Sequence, residues 1–262
     1  APKDPIRKKP KVVKMDISSL DDFLVLENVS CVAADGSVFE EYDHLQVCKD
    51  IYRDGKKPKI FTPYNVAVYS ESQGLFLPSF ALSCNIVARL YEQRNNVDAD
   101  RVLQQYKDKG NGNGYHAQNT IIDYATSRII HYPCSSDFDQ SIPVNVSQKR
   151  TALPFSKSSL EDALLKDALV DASVKMYVQQ LTGLQNPEIL VEIGDYFGKP
   201  AKLWFPWSGK KGSQCKEKRA AWLGCYYDIL NLSGNSGLND NGVARGVRRS
   251  GEHSEPGAGG AK

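Results

Sequence analysis

Residues 220 to 247 contain no Lys, Glu, Gln or Met, although those four types supply 47 of the 262 residues. Asn, Asp, Gly, Ser and Tyr fill the window instead, with Asn at 231, 235, 239 and 241. Leu223, Cys225, Leu230 and Leu232 stand at even spacings, the period of half-buried strands. The window therefore reads as two strands around a turn near Tyr227-Asp228. Ala221, Leu223, Cys225, Leu230, Leu232 and Gly234 form the inward set. Trp222, Gly224, Tyr226, Ile229, Asn231 and Ser233 form the outward set. Asn235, Ser236, Asn239, Asp240, Asn241 and Gly242 fall in the loop beyond.

The genetic code gives this composition a physical meaning. Asn codons mutated freely at their adenines yield codons ending in C or T. Such codons cannot specify Lys, Glu, Gln, Met, Trp or a stop. They do specify Asn, Asp, Gly, Ser, Tyr, Cys, Leu and Ile. The window fits that alphabet everywhere but Trp222. Together with Trp204, Ser208, Arg219-Ala220-Ala221 and Gly246-Val247-Arg248, it resembles the variable region of diversity-generating retroelement target proteins. The resemblance spans roughly residues 150 to 249. It is closest to the archaeal and archaeal-virus members, because Val247 stands where many other members carry Phe.

The resemblance implies an α+β chain. Its C-terminal half would be a C-type lectin fold of the formylglycine-generating-enzyme-like branch, preceded by a small α+β region. It also implies that Trp204 and Arg248 serve the framework. The expected division is a basic tail at 1–19, an α+β region at 20–112, a lectin-like domain at 113–249 with the variable region at about 219–248, and a Gly-rich tail at 250–262. The implied function is display of variable residues to a macromolecular ligand, a protein above all. Trp207 joins the outward set as a further anchor before the polar turn at 209–212. Tyr and Trp offer contact area while Ser, Gly and Asn offer adaptable hydrogen bonds, as in antibody loops. Diversity must sit on exposed positions, since core substitutions cost about 1 to 5 kcal/mol against a total stability of about 5 to 15.

The rest of the chain sets limits. A composition of 41% hydrophobic and 24% charged residues is that of an ordinary globular protein. A net charge of +2 is too small for an overall nucleic-acid footprint. The basic residues of 1–14 have no aromatic residue among them, leaving only weak phosphate contact. Six cysteines at 31, 48, 84, 134, 215 and 225 form no C-x-x-C pair and read as buried thiols. Cys215 and Cys225 do not resemble the paired cysteines of formylglycine-generating relatives. No 18-residue apolar run or signal peptide is present, which points to a cytoplasmic or virion-associated protein. No cofactor or metal is expected, and Asp228 and Asp240 alone would not hold calcium.

Two other functions remain open. A hydrolase-like enzyme would use His116, His131 and Cys134 near Asp123, although no local signature surrounds Cys134. A structural or virion protein would need no such site.

Among local elements, Asp35-Gly36 marks a turn between strands at 28–33 and 37–42. Asp54-Gly55 marks a break, and 59–69 alternates as a strand would. Phe80, Leu82, Ile86, Val87, Leu90 and Tyr91 share a helical face. Asp98 or Asp100 caps a short helix bearing Val102, Leu103 and Tyr106. The Gly/Asn run at 110–114 reads as a linker. A hairpin occupies 119–124 and 128–132. Ser158-x-x-Glu161 reads as a capping box opening a long helix that ends at Gly183. Segments 189–193 and 202–205 read as strands.

Overall fold

The computed structural model describes residues 20–55, 57–107, 115–132, 151–157, 160–206, 217–238, 240 and 242–250. The chain is α+β. A first antiparallel hairpin joins β1 (Phe23–Val32) and β2 (Val38–Cys48) through a turn in which Gly36 has φ 86°. Short strands β3 (Arg53–Asp54) and β4 (Lys57–Pro58) follow around Gly55, then α1 (Pro63–Ser72), α2 (Phe80–Glu92) and α3 (Val97–Lys107). Next come β5 (Tyr115–Asp123), β6 (Arg128–His131), β7 (Thr151–Pro154) and β8 (Ala163–Leu164). Helices α4 (Leu165–Ala168), α5 (Ala172–Thr182) and α6 (Ile189–Phe197) precede β9 (Ala201–Trp204), β10 (Lys218–Tyr226), β11 (Ile229–Ser236) and β12 (Val247–Arg249).

Four local expectations are corrected. Residues 63–72 are helical because Thr62 Oγ1 accepts from Asn65 N at 3.3 Å and Pro63 occupies the first turn. Segment 189–193 opens a helix whose Leu190, Ile193 and Phe197 are buried at helical spacing. Its apolar run was too short to separate helix from strand by period. The cap of α3 is Asn96, whose Oδ1 accepts from Asp98 N and Ala99 N. The long helix α5 is capped by Asp171. Ser158 lies outside the described residues, and Asp162 Oδ1 instead accepts from Phe205 N at 2.7 Å. Gly183 does close α5, at φ 61°.

Strand order in the larger sheet is β7-β6-β5-β10-β11-β9-β8, and the smaller sheet runs β1-β2-β12. One apolar cluster reaches from Leu26 on β1 through α2, α3 and α5 to Leu223, Leu232 and Val247. Segments on both sides of the expected division at 112/113 thus share one core; residues 108–114 themselves lie outside the described set. Strand β12 pairs with β2, Val247 opposite Val47, which ties the end of the window to the first hairpin. Gly246 is required there, since a Cβ would meet Tyr52 Oη and the Leu75 side chain. No helix among the described residues is long and apolar enough to cross a membrane.

Candidate functional site

The window forms the hairpin β10–β11 and the segment that returns to β12. Its turn falls at Tyr227-Asp228, between the closing pair Tyr226 and Ile229. Ala221, Leu223, Cys225, Leu230 and Leu232 all enter the main core, so the inward set is placed as the alternation implies. Main-chain pairing is irregular near Ala221, where a bulge interrupts both ladders of β10. Gln118 Oε1 accepts there from Leu223 N at 3.1 Å.

The opposite face departs from expectation. Trp222 is buried, in a second cluster with Tyr52, Phe61, Val66, Tyr69 and Ala244. Leu238 packs against the same cluster. Helix α1 and the returning window segment thus cover the face that alternation alone left to solvent. Asn231 and Ser233 are buried as well, and so is Gly224, whose φ of 151° disfavours any side chain. Gly242 is also buried, its N–H and carbonyl paired with Phe61. Trp222, Gly224, Asn231, Ser233 and Gly242 therefore present no open side-chain surface.

What is exposed lies at the ends of the hairpin. Tyr226 and Tyr227 are 39% and 62% exposed, and Asp228 is exposed beside them. Their rings meet edge-on, centroids 4.3 Å apart and planes at 74°. A hydrogen bond that the Tyr226 hydroxyl donates to Tyr227 holds its proton and raises its pKa above the ordinary value. Ile229, Asn235 and Ser236 are half-buried and Asp240 is exposed. The β11 strand of eight residues separates these two patches by about 25 Å. Trp207, Asn239 and Asn241 lie outside the described residues, as do Ser208, Cys134 and Cys215.

Residues beyond the window also reach this region, and of these the sequence pointed only to Trp204 and Arg248. Parallel pairing sets Lys202 beside Asn231 and Trp204 beside Ser233. Lys202 Nζ lies 4.2 Å from the Trp204 ring, and Trp204 is half-buried on the face away from the core. Lys199 Nζ donates to the Tyr227 carbonyl at 2.6 Å. A Gly-Lys-Pro run at 198–200 signals a helix end but not which turn it will touch. Arg248 donates to Gln46 Oε1 at 2.6 Å and lies over the Phe23 ring, both on the first hairpin. Arg245 is buried and donates to the Cys48 carbonyl and to Gln105 Oε1. Gln105 in turn donates to Asp50, so its amide links the buried guanidinium to a carboxylate.

Both candidate histidines, His116 and His131, are buried. His116 stacks on Tyr106 at 4.1 Å, and burial with nearby Arg245 lowers its pKa to about 3. His131 is held between Thr120 Oγ1 and the Gln180 carbonyl, each at 2.9 Å, and burial lowers its pKa to about 4. His131 pairs across from Thr120, four residues along β5 from His116, so the rings are about 13 Å apart in the strand direction. Cys31, Cys48, Cys84 and Cys225 are buried. Among the described residues no three His, Cys, Asp or Glu converge as metal ligands. Comparison of the chain with protein-family models, curated proteins and solved structures finds no match.

Proposed function

We propose that this protein is a retroelement-diversified binding protein that displays rewritten residues from a C-type lectin scaffold to a protein ligand. The observation that carries the reading is the absence of Lys, Glu, Gln and Met from 220–247. That stretch coincides with one structural unit, the β10–β11 hairpin and its return. The exposed part of the unit, two tyrosines and two aspartates, lies with half-buried Asn235 and Ser236, and the set has the composition of a paratope. Its fixed part lies in the core, where mutational tolerance is low.

Sequencing the locus tests the reading. A near-copy of the codons for about 219–248 should stand beside a reverse transcriptase gene and differ only at template adenines. Differences should collect at Tyr226, Tyr227, Asp228, Asn235, Ser236, Asn239, Asp240 and Asn241, and spare Trp222, Gly224, Asn231 and Ser233. Absence of the copy, or differences at other bases, would refute it. Binding gives a second check. Tyr226→Ala with Tyr227→Ala should weaken any ligand recovered by pull-down by about 2 kcal/mol or more, with the fold intact. Deleting 1–14 should leave that binding unchanged.

A further inference from the structure

A turn that carries variable side chains needs its geometry held by something that does not vary. Tyr227 has φ 50°, in the left-handed region where residues other than glycine are strained. Besides the closing pair of Tyr226 with Ile229, two restraints reach the main chain of this turn from outside the window. Lys199 Nζ donates to the Tyr227 carbonyl at 2.6 Å. Leu230 N, just after the turn, donates to the Pro200 carbonyl at 3.1 Å, and Leu230 lies beside Ala201 in the parallel ladder.

Segment 198–201 is itself fixed. Gly198 closes α6 at φ 66°, and Lys199 N donates to the Gly194 carbonyl at 2.8 Å. A Cβ on Gly194 would stand 2.7 Å from Lys199 O and 2.9 Å from Ala201 N, so helix and segment are in close main-chain contact. Pro200 further limits the backbone between them. The ammonium of Lys199 is thus carried on a hook that no mutation of the window alters.

We propose that Lys199 is a positioning residue for the variable turn, gripping its main chain so that the turn keeps one shape whichever side chains occupy 226–228. The proposal rests on the reading of the window as diversified. Charge-assisted bonds from an ammonium to a carbonyl depend on no particular side chain at 227. The alphabet reachable from Asn codons suits the same turn, since Asn, Asp and Gly tolerate left-handed φ best. Val, Ile and Thr belong to the same alphabet and are the residues the turn should resist.

Hydrogen exchange of the full chain, read by mass spectrometry, tests the grip without a ligand. Lys199→Met keeps the aliphatic stem and removes the donor. It should speed exchange of the peptide across 226–230 by about three- to tenfold, the loss of one exposed charge-assisted bond. Exchange across β1–β2 should not change. Tyr227→Asn should keep wild-type protection of the turn, and adding Lys199→Met to it should remove that protection. Equal acceleration throughout the chain would make Lys199 a general stabiliser and overturn the proposal. So would an unchanged turn, or a Tyr227→Asn variant as labile as Lys199→Met. A missing template copy would end the retroelement reading and leave the exchange result untouched. Unchanged exchange would end the grip and leave the retroelement reading intact.

Discussion

The hairpins β1–β2 and β10–β11 share a topology and differ in what lies on their second face. Both bury one face in the main core: Leu26, Val29 and Leu45 in the first, where Leu26 and Val29 lie three apart across Asn28 at φ 52°, and Leu223, Cys225 and Leu232 at even spacing in the second. The first leaves Val25, Glu27, Glu41, Asp43 and His44 in water. The second lies in the middle of a seven-stranded sheet, with α2 and α3 against β10 and the Trp222 cluster on the other side. Period-2 alternation separates two faces. It does not say which of them meets solvent. Freedom to change side chains without touching the core therefore belongs to the turn and ends of β10–β11 rather than to a whole face.

The largest contrast should come from Trp222. Trp222→Ala should cost about 3 to 5 kcal/mol in urea unfolding, as loss of a buried indole does, while Val25→Ala on the first hairpin stays near 0.5. Equal small losses would return Trp222 to the surface and restore a single-faced hairpin.

The next effect is on pH. His116 and His131 belong to the two-faced sheet, with folded pKa values of about 3 and about 4. An unfolded histidine titrates near 6.5, so between that value and the folded ones the unfolded chain binds more protons. Their contribution is full above pH 6.5 and lost as pH falls toward 4. Stability should drop by about 2 kcal/mol per histidine between pH 6.5 and 5. Replacing exposed His44 on the first hairpin with Ala should leave that slope standing. A flat profile from pH 7 to 5 would show that the sheet takes up protons freely.

Smaller losses concern close approach. A Cβ at Gly234 would stand 2.6 Å from Tyr124 Oη and 2.8 Å from Ile122 Cδ1. Gly234→Ala should cost about 1 to 3 kcal/mol by overpacking, although its codon belongs to the variable alphabet. Gly36, in the first hairpin's turn, has open space around it and only a positive φ to resist Ala. Its replacement should cost about 1 kcal/mol, and calorimetry should rank the two in that order. The smallest effect belongs to the tip. Asp228→Ala and Tyr226→Ala should each stay within about 0.5 kcal/mol, and a loss beyond 1.5 would mean that the tip is structural.

Much of the local structure is legible in the residues. The β10–β11 turn, the inward leucines, the α2 face, the Asp35-Gly36 turn and the Gly183 cap follow from period and turn chemistry. The misreadings share a cause. Segments 59–69 and 189–193 are short apolar runs, for which helix and strand periods agree until a cap decides. Thr62-Pro63 and Gly198 were those caps. The burial of Trp222 was not legible, because its neighbours Tyr52, Val66 and Tyr69 lie more than 150 positions away and no pattern within 220–247 refers to them. Lys199 was missed for the same reason: the parallel pairing of β9 with β11 brings it to Tyr227.

Strand β12 has a consequence for synthesis. The small sheet lacks its third strand until residues 247–249, at the far end of the window, have been translated. A chain cut short or shifted out of frame within the window leaves β2 with an unpaired edge and the core without Val247. Such a product exposes what proteases and chaperones recognise. Only a chain read through residue 249 can complete the small sheet and the core beneath it, so closure of the fold reports on an intact window.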